Sequence, residues 1–492
     1  MNSVSDKLGV VEKIGYSLGD LAANLVFQTL VTFIAFFYTD VYKIPVETAT
    51  AIIFSCGLIA AFFNPVMGII ADRTETRWGK FRPWILWTSV PFGVLALLAF
   101  STPNFSPEGK IYYAFTTYLL LLLVYSANNL PYSALSGVIT GNMRERNSMS
   151  SYRFVAVMVA QFIIQVLLLP LVLIVGAGDK AIGFEKVMTV LSIVGIVFFL
   201  ITFFTTKERV TPKPEQKSTV QQDASDLLKN QPWIIMLVVT ILLFTTLALK
   251  GGMYIYYFEN YLDTTQIAVF LQDVGFNNFI AGLNGMLINI GLTEFQWPDD
   301  PATSGFSLFN AGGIIFMIVG IGFSKPLADK YGKREVFGCA LFISTVFIAL
   351  FFFFAQDAIA LVFVAQILHG FFYGITIPLL WAMTADVADY SEWKNQRRAT
   401  AIIFSAMIVG LKLGLTLGSS LVSSVLDSYQ YNPDLTSQLP LTINGIKLAV
   451  SAYASLPFFI AALCLFGYRI GKPLERQIES ELAARRNVLN VA

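Results

Sequence analysis

The chain has 492 residues, 55% of them hydrophobic and only 13% charged, with a mean hydropathy of +0.65. That balance excludes a soluble globular domain and fits a polytopic α-helical membrane protein. The net charge of +1 gives no reason to expect a nucleic-acid partner. Cys56, Cys339 and Cys464 sit singly in apolar runs, without metal-ligand spacing and with no disulfide implied. No cleavable signal pattern opens the chain.

Apolar runs long enough for a hydrocarbon core of about 30 Å predict twelve spanning helices. They fall near 14–39, 45–71, 83–101, 111–140, 150–175, 184–206, 232–262, 306–330, 335–355, 358–388, 398–427 and 444–471. The expected architecture is an all-α membrane protein of two pseudo-symmetric six-helix bundles, 1–206 and 232–476. A polar linker at 207–231, with Pro212 and Pro214, joins them, and 477–492 form a tail.

Lys and Arg collect in alternate loops: Arg73, Arg77, Lys80 and Arg82; Arg144 and Arg146; Lys330, Lys333 and Arg334; Lys394, Arg397 and Arg398. The intervening loops carry only Lys43, Lys110 and Lys180, so both termini are expected in the cytoplasm. The outer segment 263–305 has no Lys or Arg, but holds Asp273, Glu294, Asp299 and Asp300 around an interrupted apolar piece at 274–292. One or two short helices over the outer mouth are expected there. A thirteenth span would invert the second half and break the charge rule.

The tight basic turn at 68–84 (GIIADRTETRWGKFRPW) has the spacing G-x-x-x-D-R-x-x-x-R-x-G-K. It resembles the loop between helices 2 and 3 of the major facilitator superfamily. Asp72, Arg73 and Arg77 are therefore candidate gate residues, able to latch neighbouring helix ends, with Gly68 and Gly79 permitting close packing and a sharp turn. A purely topogenic loop is the alternative. A weaker echo, SKPLADKYGKRE at 324–335, places Asp329 about half a chain later, and Pro131 and Pro378 repeat at a similar distance. Asp386 and Asp389, at the inner end of the tenth span, complete the gate set.

Polar side chains inside spans are costly, and so are candidates for function. The first span carries Asp20 and Asn24, four residues apart on one face. The fourth carries Tyr125, Asn128 and Asn129 just before Pro131, which removes a backbone hydrogen bond. The fifth opens with Arg153, the seventh holds Lys250, and the eleventh holds Lys412 in GLKLG. At 1.5 Å per residue, Asn24 and Asn129 lie about 15 Å in, near the midplane, while Asp20 and Arg153 share a depth of about 8–9 Å and can pair. Glu259 lands near the outer surface. Interhelical hydrogen bonds and a buried ion pair are the bland account of the same residues. His369, the single histidine, is read as helix packing in preference to a proton relay.

GYSLGDLAAN, FYTDVY, NPVMGIIADRTETRWGKFRPW, NNLPYSAL, Arg153 and WAMTADVADYSEW together resemble the glycoside–pentoside–hexuronide:cation symporters, a family within the major facilitator superfamily. The resemblance covers nearly the whole chain except the outer segment. It implies a sugar or glycoside symporter of the bacterial inner membrane, working by alternating access, with no enzyme activity, no cofactor and no metal. Carried over residue by residue, the sugar-binding aspartates of the first and fourth spans correspond to Asn24 and Asn129, and a tryptophan to Ser133. The arginine and lysine are kept as Arg153 and Lys412. The two aspartates that hold sodium correspond to Ala60 and Asn64, so sodium coupling is not expected; protons are the expected driver, with Asp20 as carrier. Asp20, Tyr125, Asn128, Lys250 and Trp381 complete the candidate substrate site.

Three cations, Arg153, Lys250 and Lys412, against Asp20 and Glu259 imply a neutral-to-positive cavity and an anionic sugar such as a uronate, a glucuronide or a sulfosugar. If the lysines pair with Asp20 and Glu259, a neutral pentoside or oligosaccharide is the alternative. A lipid or drug carrier would want an apolar pocket, which the amides and lysines oppose. A membrane enzyme or sensor lacks a nucleophile–base pair or effector domain. The other expected partners are the lipid bilayer and a co-transported proton, with the chain a monomer.

Overall fold

The computed structural model describes residues 8–140, 143–209, 229–289, 297–395 and 400–491, and every regular element among them is helical. Among the described residues twelve helices are long and apolar enough to cross a membrane. In the first half they are α1 (Val10–Val41), α2 (Val46–Ala71), α3 (Arg82–Ala99), α4 (Pro107–Ile139), α5 (Ser148–Val175) and α6 (Lys180–Thr205). The second half begins with α7 (Gln231–Tyr261), followed by the short α8 (Thr264–Asp273) and α9 (Phe276–Asn289). Then come α10 (Pro301–Tyr331), α11 (Lys333–Phe353), α12 (Ile359–Lys394), α13 (Ala406–Ser428) and α14 (Pro440–Gly467). A final amphipathic helix, α15 (Lys472–Val491), closes the chain. The segment 263–305 thus contains two short helices, as expected, and no thirteenth span among the described residues.

Local chemistry sets the starts. Ser106 accepts from the Gly109 N–H at α4, Asp179 from Ala181 and Ile182 at α6, and Asn230 from Trp233 at α7. Pro107 and Pro232 occupy first turns, where no donor is lost. α1 and α7 each end in a single π turn, Phe37–Val41 and Tyr257–Tyr261, a structural echo of the duplicated halves.

Two compact units emerge: Met1–Glu215 with Thr264–Leu308 and Val422–Leu439, and Gln216–Asp263 with Phe309–Leu421 and Pro440–Ala492. In the first unit α1 is central, packed on α5 and α6. A Cβ on Gly15 would stand 2.0 Å from Thr205 Oγ1, and one on Gly19 2.6 Å from the Tyr132 ring. The two glycines of GYSLGD therefore let α1 lie flat against α4 and α6. At the C-terminal end of α1 Asp40 accepts from the Tyr431 hydroxyl, and just beyond it Lys43 pairs with Asp434 at 2.9 Å.

The basic turn is held by Glu208. Its carboxylate accepts the backbone N–H groups of Lys80, Phe81 and Arg82 at 2.8–2.9 Å, at the positive end of α3. Gly79 has φ +110°, and a Cβ there would fall 2.3 Å from that carboxyl group. Its role in the turn is therefore as expected, whereas Gly68 meets nothing within 4 Å and is not needed for close packing. Glu208→Ala strands three donors and is expected to cost about 1–3 kcal/mol, read as a lower unfolding midpoint in detergent. An unchanged midpoint means the turn does not rely on this carboxylate.

In the second unit, glycines again set helix spacing. Cβ atoms on Gly410, Gly414 and Gly418 of α13 would lie within 2.6 Å of α7 at Leu237, Ile241 and Thr245. Gly320, Gly370 and Gly374 bring α10 and α12 into backbone contact. Lys333 joins Asp386 at 2.7 Å and Glu475 at 2.8 Å, while Trp393 donates to Glu481, so α15 is docked on the ends of α11 and α12.

Candidate functional site

The first unit carries one tightly built polar cluster. Tyr16 and Tyr132 stack at 4.6 Å, and each hydroxyl donates to the other's main-chain carbonyl, at 2.9 and 2.7 Å. The Arg153 guanidinium lies over both rings, 5.5 and 5.2 Å from their centroids, and its Nε donates to Asp20 Oδ2 at 2.7 Å. Asp20 and Arg153, matched by depth in the sequence, do pair.

One turn further along α1, the Asn24 amide donates to the Asp20 carbonyl at 2.9 Å, within its own helix. Tyr125 is buried and stacks on Phe27 at 5.3 Å. Asn129 and Ser133 are half-buried on α4. Asn128 is turned elsewhere: it is 1% exposed and donates to Thr88 Oγ1 of α3 at 2.8 Å, with its own carbonyl oxygen unpartnered in the structure. Its geometry is that of a helix tie rather than a cavity wall.

The second unit holds the two lysines. Lys250, 8% exposed on α7, contacts His369 Nε2 of α12, and its ammonium lies 5.7 Å over the Tyr254 ring. His369 Nδ1 is 2.8 Å from Ser344 Oγ of α11. Among the described residues no carboxylate pairs with Lys250. Lys412 is half-buried; the glycines two positions either side face α7, so its side chain leaves the opposite side of α13. Trp381 is 37% exposed on α12.

The gate residues scatter. The Asp72 side chain lies outside the described residues, as do those of Arg144 and Arg146, residues 210–228 of the linker, and Arg397 and Arg398. Arg73 is exposed, and Arg77 lies 4.5 Å over the Trp78 ring. Asp329 is exposed and offers its main-chain carbonyl to Lys472, whereas Asp386 is bound by Lys333 and Asp389 is half-buried nearby on α12. Sequence reasoning missed His369 as the partner of Lys250 and Ser344 as the partner of His369. The available signal was a single histidine inside a span, where any ionisable group needs a reason.

The profile of the MFS/sugar transport protein family matches residues 15–293 and 300–472. The chain is 33% identical to the inner membrane symporter YicJ of Escherichia coli (strain K12), over 93% of this chain and 91% of that one. It is 28% identical to the isoprimeverose transporter of Lactiplantibacillus pentosus, over 94% and 89%. The nucleoside transporter NupG superposes with a TM-score of 0.58 at 15% identity, covering 92% of this chain and 100% of that one, a likeness of fold. Twelve apolar helices and these relatives make the chain a multi-pass membrane transporter and not an enzyme. It belongs to the glycoside–pentoside–hexuronide:cation symporters of the major facilitator superfamily.

Proposed function

We propose that this chain imports an anionic sugar, a uronate, glucuronide or sulfosugar, together with a proton and independently of sodium. The observation that carries the charge of the substrate is Lys250. It is buried, it meets a histidine, and no described carboxylate neutralises it. A buried cation of this kind gains most from a ligand that brings its own negative charge. Arg153, by contrast, is already matched by Asp20. In this reading Asn24, Asn129, Ser133, Tyr125 and Trp381 offer amide, hydroxyl and ring contacts to the sugar, and Lys250 and Lys412 the charge.

Sodium independence follows from Ala60 and Asn64, both buried, which supply no carboxylate to a hard cation. Asp20 is a candidate proton carrier that becomes available when its pair with Arg153 opens. Transport is by alternating access, from a monomer in the bacterial inner membrane with both termini cytoplasmic and Asp72, Arg73, Arg77, Asp329, Asp386 and Asp389 at the inner gate.

The test is thermal unfolding of the purified protein with matched sugars, in sodium-containing and sodium-free buffer alike. Glucuronate is expected to raise the midpoint while glucose and xylose leave it in place. Stabilisation by a neutral sugar alone overturns the anionic reading. It would favour the second reading, a neutral pentoside, to which the similarity to an isoprimeverose transporter points.

A further inference from the structure

The contact between Lys250 and His369 joins two basic groups inside the spans. We propose that Lys250, His369 and Ser344 form a one-proton site whose occupancy is tied to the negative charge of the substrate. The inference rests on the anionic, proton-coupled reading and assigns the proton to this site in place of Asp20, whose charge stays paired with Arg153.

The geometry admits two hydrogen arrangements on the same heavy atoms. When Lys250 is an ammonium, Nζ donates to His369 Nε2, the ring carries its proton on Nδ1, and Nδ1 donates to Ser344 Oγ at 2.8 Å. When Lys250 is an amine, Nε2–H donates to Nζ and the Ser344 hydroxyl donates to Nδ1. The Ser344 hydroxyl also reaches the His369 carbonyl at 3.5 Å, which satisfies it in the first arrangement. A second added proton does not fit, because Nζ and Nε2 would then both be donors facing each other as like charges. So the site changes by one proton, without moving a heavy atom.

Other groups around the site do not compete for that role. Tyr254 lies under Lys250 and is held by Gln366, and Tyr373 stacks on the imidazole at 6.0 Å, with Phe458 beyond. α7 carries no other Lys, Arg, Asp or Glu up to Glu259 near its outer end, and α14 carries Lys447 near its start. The charged residues of α12 other than His369 begin at Asp386, about 25 Å along the helix, and those of α11 end at Glu335, about 13 Å from Ser344. α13 carries Lys412, and the charged residues of α10, Lys325, Asp329 and Lys330, lie in its last two turns.

Lys250 is the end of the chain nearest to an exposed surface: it is 8% exposed, against 1% for His369 and 0% for Ser344. An anion at Nζ stabilises the ammonium arrangement, and so draws one proton onto the site. Departure of the anion releases it. Loaded, the site holds one anion and one proton; empty, it is neutral. Neither state leaves a net charge uncompensated inside the membrane, the condition a carrier must meet to turn over in both directions.

The experiment uses full-length protein in proteoliposomes with glucuronate as probe. An acid-outside gradient is expected to drive accumulation by the wild type; failure to accumulate overturns the proposed function itself. Given accumulation, Lys250→Gln, which keeps hydrogen bonding to His369 but takes no proton, is expected to lower gradient-driven accumulation about tenfold or more and to remove the pH dependence of the glucuronate counterflow that remains. A Lys250→Gln variant that accumulates like the wild type overturns the one-proton site, while accumulation by the wild type leaves import of an anion with a proton standing. Because His369 is the single histidine, 15N-histidine labelling gives one imidazole to watch by NMR. Glucuronate is expected to shift its two nitrogen resonances between tautomers in the wild type and not in Ser344→Ala. Resonances that ignore glucuronate overturn the proposal.

Discussion

Asp20→Ala is expected to destabilise the protein by about 1–3 kcal/mol, because it leaves the half-buried Arg153 guanidinium inside a span without its carboxylate. Arg153 cannot shed its charge, and the two tyrosine rings beneath it offer only a weak substitute for an ion pair. The rings are also fixed: Tyr16 and Tyr132 are each bonded to the other's backbone, so they do not follow the arginine if it moves. The double variant Asp20→Ala with Arg153→Met removes the stranded charge and is expected to recover much of the loss. Unfolding midpoints of the two single variants and the double close the cycle. Should Asp20→Ala unfold at the wild-type temperature, the pair contributes nothing to the fold and its role is confined to transport.

Gly374→Ala is expected to cost about 1–3 kcal/mol, a large effect for one methyl group. The added carbon would stand 2.1 Å from the Met317 carbonyl oxygen, and neither that backbone nor α12 can yield without opening the α10–α12 contact. Gly320 and Gly370 meet the facing backbone in the same way, so a shift that relieves one position strains the others. Gly374→Leu is expected to leave little folded protein. Gly338→Ala serves as the control, since nothing lies within 4 Å of that position and the substitution is expected to be tolerated. Equal recovery of folded protein from Gly374→Ala and Gly338→Ala, judged by size-exclusion after heating, would show that the helices are not held at backbone distance.

The chain by itself determined the twelve spans, their order and the duplication of the halves. Each spanning helix satisfies its own backbone, so length and apolarity alone identify it. It also determined the pairing of Asp20 with Arg153, because both residues lie at a countable depth from a helix end, and distance along a helix is set by a fixed rise. Rotation about the helix axis is not fixed that way. Which neighbour a side chain meets was decided by packing, and there the sequence was silent. Asn128 and Asn129 are adjacent, yet Asn128 turns to Thr88 of α3. Lys250 meets His369, and His369 meets Ser344, on three different helices, α7, α12 and α11. The glycines of GLKLG read as neighbours of a functional lysine, but they face α7 at backbone distance and send Lys412 the other way. Glu208, distant in sequence from the basic turn, became its anchor because three donors at the start of α3 lack partners within the helix. Composition and period report where helices are. Only tertiary packing decides which of their polar groups meet.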